Sequence, residues 1–172
     1  MPRPLIAILL SALALGCGYS LVGGGGPAAG EPRTIAVPLF ENRSAEPGFE
    51  RMLADALSEE FARRGELRPV WDERSAPDGW ALRGVVRAVR VVPSAFSSVG
   101  LALESRVEVE LEVSLVRGPD RELVWRHNPL LLDEVFLSSA DAQVGHTNRE
   151  QALRRLASET AGRIHDELSQ TF

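Results

Sequence analysis

The segment Leu101–Val116, LALESRVEVELEVSLV, decides how the chain is read. Leu101, Leu103, Val107, Val109, Leu111, Val113 and Leu115 share one parity, interrupted only by Ser105. Ala102, Glu104, Arg106, Glu108, Glu110, Glu112 and Ser114 share the other. Alternation sustained over this many positions predicts a strand with one face buried and one face wet. At ~3.4 Å per residue it spans ~50 Å, far beyond the usual strand of ~5–6 residues. A strand of that length outgrows a small core, so part of it is expected to project.

The strand needs a partner, and the preceding segment supplies one. Trp80, Leu82, Gly84, Val86 and Ala88 alternate with Arg83, Val85, Arg87 and Val89, and Pro93–Gly100 reads as the connecting loop. A hairpin closed by that loop pairs Val86 with Val107, Leu82 with Leu111, Gly84 with Val109, Trp80 with Val113 and Arg83 with Glu110. The same register sets Arg87 opposite Arg106 on the wet face, with Arg90 close by. Like charges so placed repel unless an anion lies between them. A two-residue slip instead gives Arg87 a glutamate, Glu104 or Glu108, in an ordinary surface ion pair. Arg117–Asp120 is the next turn, and Glu122–His127 returns as a further strand with Trp125 as its core anchor. Pro129–Val144 is apolar without a clear period, fitting either a strand end or a docking loop.

Upstream, Thr34–Phe40 reads as a first strand in which Pro38 marks an edge or a bulge, followed by a turn at Glu41–Ser44. Pro47 opens a helix whose apolar positions are Phe49, Met52, Leu53, Ala56, Leu57 and Phe61, with Gly65 as its cap. Leu67–Trp71 is a second strand, making a parallel strand–helix–strand unit. Asp78-Gly79 signals a turn. At the other end, Thr147-Asn-Arg-Glu150 has capping-box spacing and predicts the start of the last helix. Its stripe is Leu153, Leu156, Ala157, Thr160, Ile164 and Leu168. The expected fold is α+β: a two-layer sandwich in which a βαβ unit is followed by antiparallel strands and a C-terminal helix, both helices on one face of the sheet.

Residues 1–16 stand outside that fold. A basic Met1-Pro-Arg, an apolar Leu5–Leu15 and the small-residue site at Ala14–Cys17 form a secretory signal, too short to span a membrane. Cys17, the chain's one cysteine, closes it. That is the bacterial lipoprotein pattern, in which cleavage before Cys17 leaves its thiol and amine to carry diacylglycerol and acyl lipid. Gly18 stands where many inner-membrane-retained lipoproteins have Asp, which favours the outer membrane. Residues 17–32, with Gly23–Gly26, make a tether, and 33–172 a single domain. Taking Arg3 from the 19 basic residues leaves 18 against 24 acidic, a formal −6 for the processed chain. An acidic balance argues against a nucleic-acid binder.

Convergent chemistry is not evident. His127, His146 and His165 lack metal-ligand spacing. Asp133 and Glu134 are neighbours on an extended segment and point to opposite faces. Ser94, Ser97 and Ser98 lack a nucleophile-elbow frame, and the tetraglycine is not a phosphate cradle. No enzyme, no metal and no cofactor beyond the lipid on Cys17 is expected.

Four stretches together carry a resemblance. They are Leu15–Leu21, Thr34–Arg43 (TIAVPLFENR), Pro93–Phe96 ahead of Arg106-Val107, and Asn148-Arg149 opening the last helix. In order and spacing the chain resembles the lipopolysaccharide-assembly lipoprotein family, LptE. The resemblance implies a non-catalytic lipoprotein on the periplasmic side of the outer membrane. It would plug a large LptD-type β-barrel, help deliver lipopolysaccharide to the outer leaflet, and bind that lipid through basic side chains. Arg106, Arg87 and Arg90 are the nearest candidates, whereas Glu104, Glu108, Glu110 and Glu112 depart from an evenly basic surface. The segment IAVPLFENRS alone is also similar to TolB-like and curli-secretion-like envelope lipoproteins. A pore builder, however, needs a lipid-facing hairpin, and Trp80–Val116 holds too many glutamates for that.

Overall fold

The computed structural model describes residues 33–76 and 79–170; the signal, Cys17 and the tether lie outside them, as does Asp78. The strands are β1 (Arg33–Ala36), β2 (Glu41–Asn42), β3 (Leu67–Val70), β4 (Trp80–Phe96), β5 (Ala102–Arg117) and β6 (Glu122–Leu137). The helices are α1 (Phe49–Arg64) and α2 (Ala142–Ser169). The strands form one mixed sheet ordered β3-β1-β4-β5-β6, with β2 also paired to β4. β1 runs parallel to β3 and β4, as a βαβ unit requires, and β4, β5 and β6 are antiparallel.

The alternation of β5 is realised as read. Val107, Val109, Leu111, Val113 and Leu115 are buried in one core with the apolar faces of both helices. Phe49, Leu53, Leu57 and Phe61 come from α1, and Leu153, Leu156, Ala157, Ile164 and Leu168 from α2. Gly65 closes α1 in the left-handed region at φ 77°, its N–H bonded to the Phe61 carbonyl at 3.1 Å. Toward the hairpin tip the same parity emerges into solvent: Leu103 is 51% and Leu101 65% exposed. The helical layer ends before the strand does, so the projection expected from its length is present.

Several local readings change. The first strand is broken rather than continuous, because Pro38 cannot donate to a ladder. The chain leaves β1 after Ala36 and returns as β2, pairing Glu41 with Val85 and Asn42 with Val86, where a turn was expected. α1 begins at Phe49, after Pro47. α2 starts at Ala142, capped by Asp141, whose carboxylate accepts from the Gln143 and Val144 N–H groups. Thr147 is therefore inside the helix and donates back to the Gln143 carbonyl at 3.0 Å. The unreadable segment after Pro129 proves to be mostly strand, since β6 continues to Leu137. Its pairing is shifted between Leu111 and Val113, where Asn128 and Pro129 stand against Glu112 alone. Trp125 is only partly buried, at the margin of the core.

The largest correction is the register of the β4–β5 hairpin. Val86 pairs with Leu111, Leu82 with Leu115, Gly84 with Val113 and Arg83 with Ser114. The cause is the turn. Ser97 N–H bonds the Leu101 carbonyl at 2.8 Å and Gly100 N–H bonds the Ser97 carbonyl at 3.0 Å. This tight closure lets β4 run on to Phe96 instead of ending near Pro93, which slides the pairing by four residues or more.

Candidate functional site

Cross-strand partners share a face, so the register sorts the sheet's uncovered side. Near the base it carries Arg83, Glu112 and Arg126; toward the tip, Arg90, Val92, Arg106, Glu108, Glu110, Leu131, Asp133 and Val135. Every basic residue of the chain is an arginine, so each cation here is a planar group suited to fork-like pairing with oxyanions.

Arg87 and Arg106 do not face each other. Arg87 sits at the register shift between Val86 and Ala88, and its guanidinium donates to Glu112. Neither Glu104 nor Glu108 is its partner. Arg126 of β6 donates to the other oxygen of the same carboxylate, so three strands are tied across one acid. Hydrogen bonds from Arg87 first, and then Arg126, hold the Glu112 carboxyl below its ordinary 4.5. Arg106 lies six residues farther along β5, ~20 Å away at strand spacing, and meets Asp133 at 3.5 Å. Arg83 pairs with Glu73 at 2.5 Å rather than with Glu110. Arg90 is paired by backbone register with Glu108 and, among the described residues, its side chain makes no hydrogen bond or ion pair. It opens on a shallow cavity of about 350 Å³ lined also by Glu108, Glu110, Leu131 and Asp133.

The three candidate arginines are thus dispersed. In the distal half Arg90 and Arg106 stand among Glu104, Glu108, Glu110 and Asp133, and the balance there is acidic. Such a surface is not an extended anion groove. The Asp133–Glu134 pair is split between faces as anticipated: Asp133 meets Arg106, while Glu134 turns to the helix side and binds Arg155 at 2.6 Å. Among the described residues no three His, Cys, Asp or Glu side chains converge. His127 bonds Glu167 at 2.9 Å, and His165 is buried against Phe61.

Sequence reasoning missed the apolar character of the projecting end. Phe96, Val99, Leu101 and Leu103 are all exposed large hydrophobic residues. The available signal was charge: from Val91 through Leu103 there is none.

The lowered Glu112 value has a pH consequence. A depressed folded-state value contributes stability that is complete above the ordinary carboxylate value and is lost as pH falls through the depressed one. Urea midpoints should therefore drop more steeply between pH 5 and pH 3 in the parent than in Glu112→Gln. Parallel profiles would show that the bridge contributes nothing.

The family model described as LptE, lipopolysaccharide-assembly, matches residues 32–168, almost the whole described region. The chain belongs to this family. Solved structures share the fold of this chain. Rare lipoprotein B from Shewanella oneidensis superposes with a TM-score of 0.54 at 16% identity, over 77% of this chain and 94% of that one. A structure described as a lipoprotein from Caulobacter crescentus gives 0.53 at 15% identity, over 76% and 88%. No curated protein matches the sequence. No described helix is long and apolar enough to cross a membrane.

Proposed function

We propose that this LptE-family chain is a non-catalytic outer-membrane lipoprotein, acylated at Cys17, that plugs an LptD-type β-barrel and assists delivery of lipopolysaccharide to the outer leaflet. The observation that carries the reading is the family match, which runs from just before β1 to the end of α2. The architecture supports it. β4 and β5, strands of 17 and 16 residues, close a hairpin whose end extends past the helical layer. A rigid elongated wedge of that kind suits the bore of a large barrel better than a small-molecule site. Several acyl chains, at ~0.8 kcal/mol per buried CH₂, would hold the protein at the membrane stably.

Arg90 and Arg106 are the proposed contacts for lipopolysaccharide phosphates. Arg87 drops in rank, because Glu112 already engages it. Depletion of the protein should lower surface lipopolysaccharide and raise sensitivity to large hydrophobic antibiotics. Complementation with Arg90→Glu combined with Arg106→Glu should restore these only partly while leaving the melting temperature within a degree or two. Full restoration would remove both arginines from the site, and unchanged surface lipopolysaccharide on depletion would overturn the proposal itself.

A further inference from the structure

The distal half of β6 presents an open strand edge. From Leu130 to Leu137 it pairs with β5 without a break, Leu130 against Leu111 through Leu137 against Glu104. Its other side has no neighbouring strand among the described residues. Ser138 N–H donates to the Leu103 carbonyl at 2.9 Å. In an antiparallel ladder that bond fixes the phase. Leu130, Leu132, Glu134 and Phe136 turn their backbone groups to β5, whereas Leu131, Asp133, Val135 and Leu137 turn theirs outward. α2 takes up one of these, since the Asn148 side-chain amide donates to the Leu137 carbonyl at 2.9 Å. The N–H and C=O groups of Leu131, Asp133 and Val135 have no protein partner among the described residues. Natural sheets blunt such an edge with a proline, a bulge or a covering element. β4 does so on its own open side, with Pro93 and register shifts at Arg87 and Ser94. Leu130–Leu137 holds neither proline nor bulge. Its outward residues also show their side chains on the uncovered face, Leu131 64% and Val135 40% exposed, with Asp133 between them. Between the end of β6 and α2 lies a cavity of about 230 Å³, lined by Val135, Phe136, Leu137, Asn148, Gln151 and Arg155, with room for a side chain.

We infer that an extended segment of the partner barrel protein adds as a strand to the β6 edge at Leu131–Val135, setting apolar residues against Leu131 and Val135 and a lysine or arginine against Asp133. The backbone groups select the kind of occupant: hydrocarbon offers them no hydrogen bonds, and a further strand satisfies them all. Charge then selects among strands. A two-fold pairing centred on this stretch would set Asp133 opposite its own copy, or Glu134 opposite its own, and like charges so placed destabilise the pair. On the uncovered face Asp133 stands beside Glu108 and Glu110, with Arg106 at 3.5 Å as its cation, so the row is complemented by a positive side chain. This rests on the barrel reading. The wall strands of a closed barrel are already paired on both sides, so the added segment is a loop or a terminus that enters the lumen.

The test is recovery of the barrel by the full chain from detergent-solubilised envelopes, for the parent and two variants. Val135→Pro removes an outward N–H and leaves the bonds to β5 in place, a position at which an edge strand tolerates proline. Asp133→Lys reverses the charge and leaves the backbone alone. Each is expected to lower recovery about ten-fold at a melting temperature near the parent's. In the parent complex, amide exchange at Leu131, Asp133 and Val135 should slow relative to the free chain, while Leu132 and Glu134 exchange slowly in both. Equal recovery by both variants, or unslowed exchange at the three outward amides, overturns the inference and leaves the barrel reading standing. A parent that recovers no barrel overturns both. A dimer of the purified chain that Val135→Pro dissolves would assign the edge to a second copy and equally contradict the inference.

Discussion

Leu111→Ala is expected to lower the stability of the domain by about 2–5 kcal/mol, the range for deleting a fully buried leucine, whereas Leu103→Ala on the same strand should change it by about 0.5 kcal/mol or less. The two leucines have the same parity, eight residues apart, and periodicity alone treats them alike. Leu111 is sealed at the centre of the sheet, opposite Val86 and Leu130 and within the core that both helices complete. Leu103 lies beyond the helical layer and is half exposed. Denaturant midpoints of the isolated domain, at unchanged slope, measure both. Equal costs would mean that the distal sheet is covered, and that the projecting wedge on which the functional proposal leans does not exist.

The second large effect is expected at Gly84. A Cβ built there would stand 2.4 Å from two ring carbons of Phe40 and 2.8 Å from the Glu112 carbonyl oxygen. Phe40 is buried in the loop between β1 and β2, and its ring lies directly on the β4 backbone. The ring cannot swing aside without opening the core, and the carbonyl belongs to β5, paired on both sides by β4 and β6. Gly84→Val should cost about 3 kcal/mol, at the upper end of the overpacking range. Adding Phe40→Ala should recover part of that cost, giving a coupling energy well outside additivity. A Gly84→Val protein as stable as the parent would mean that the Phe40 ring is not seated there.

These two positions also show what could be read in the chain and what could not. The buried parity of β5 was legible because it is local: every second side chain faces the core whatever the rest of the protein does. The stripes of α1 and α2 were legible for the same reason. The register was not, because it depends on where the Ser97–Leu101 hydrogen bonds close the turn, and Pro93 suggested an earlier end to β4. A shift of four residues preserves faces as far as Val86, so the pattern gives no warning of it. The bulge at Arg87 then turns Val89 and Val91 to the helix side and Arg90 outward. The arginine site depended on that register and moved with it: Arg87 met Glu112, a residue outside either pairing considered, and Arg126 joined from a third strand. The emergence of Leu101 and Leu103 into solvent was unreadable at the residue level, since it is set by where α1 and α2 stop covering the sheet. The family resemblance rested on short stretches in order, and the match over residues 32–168 bears it out.

Whether this LptE-family chain works inside a partner barrel is measured by affinity purification of the full chain from detergent-solubilised envelopes. The expected result is recovery of a large outer-membrane β-barrel protein in near-stoichiometric amount, retained through washing at high salt. Recovery of peptidoglycan-associated factors alone, with no barrel, would contradict it.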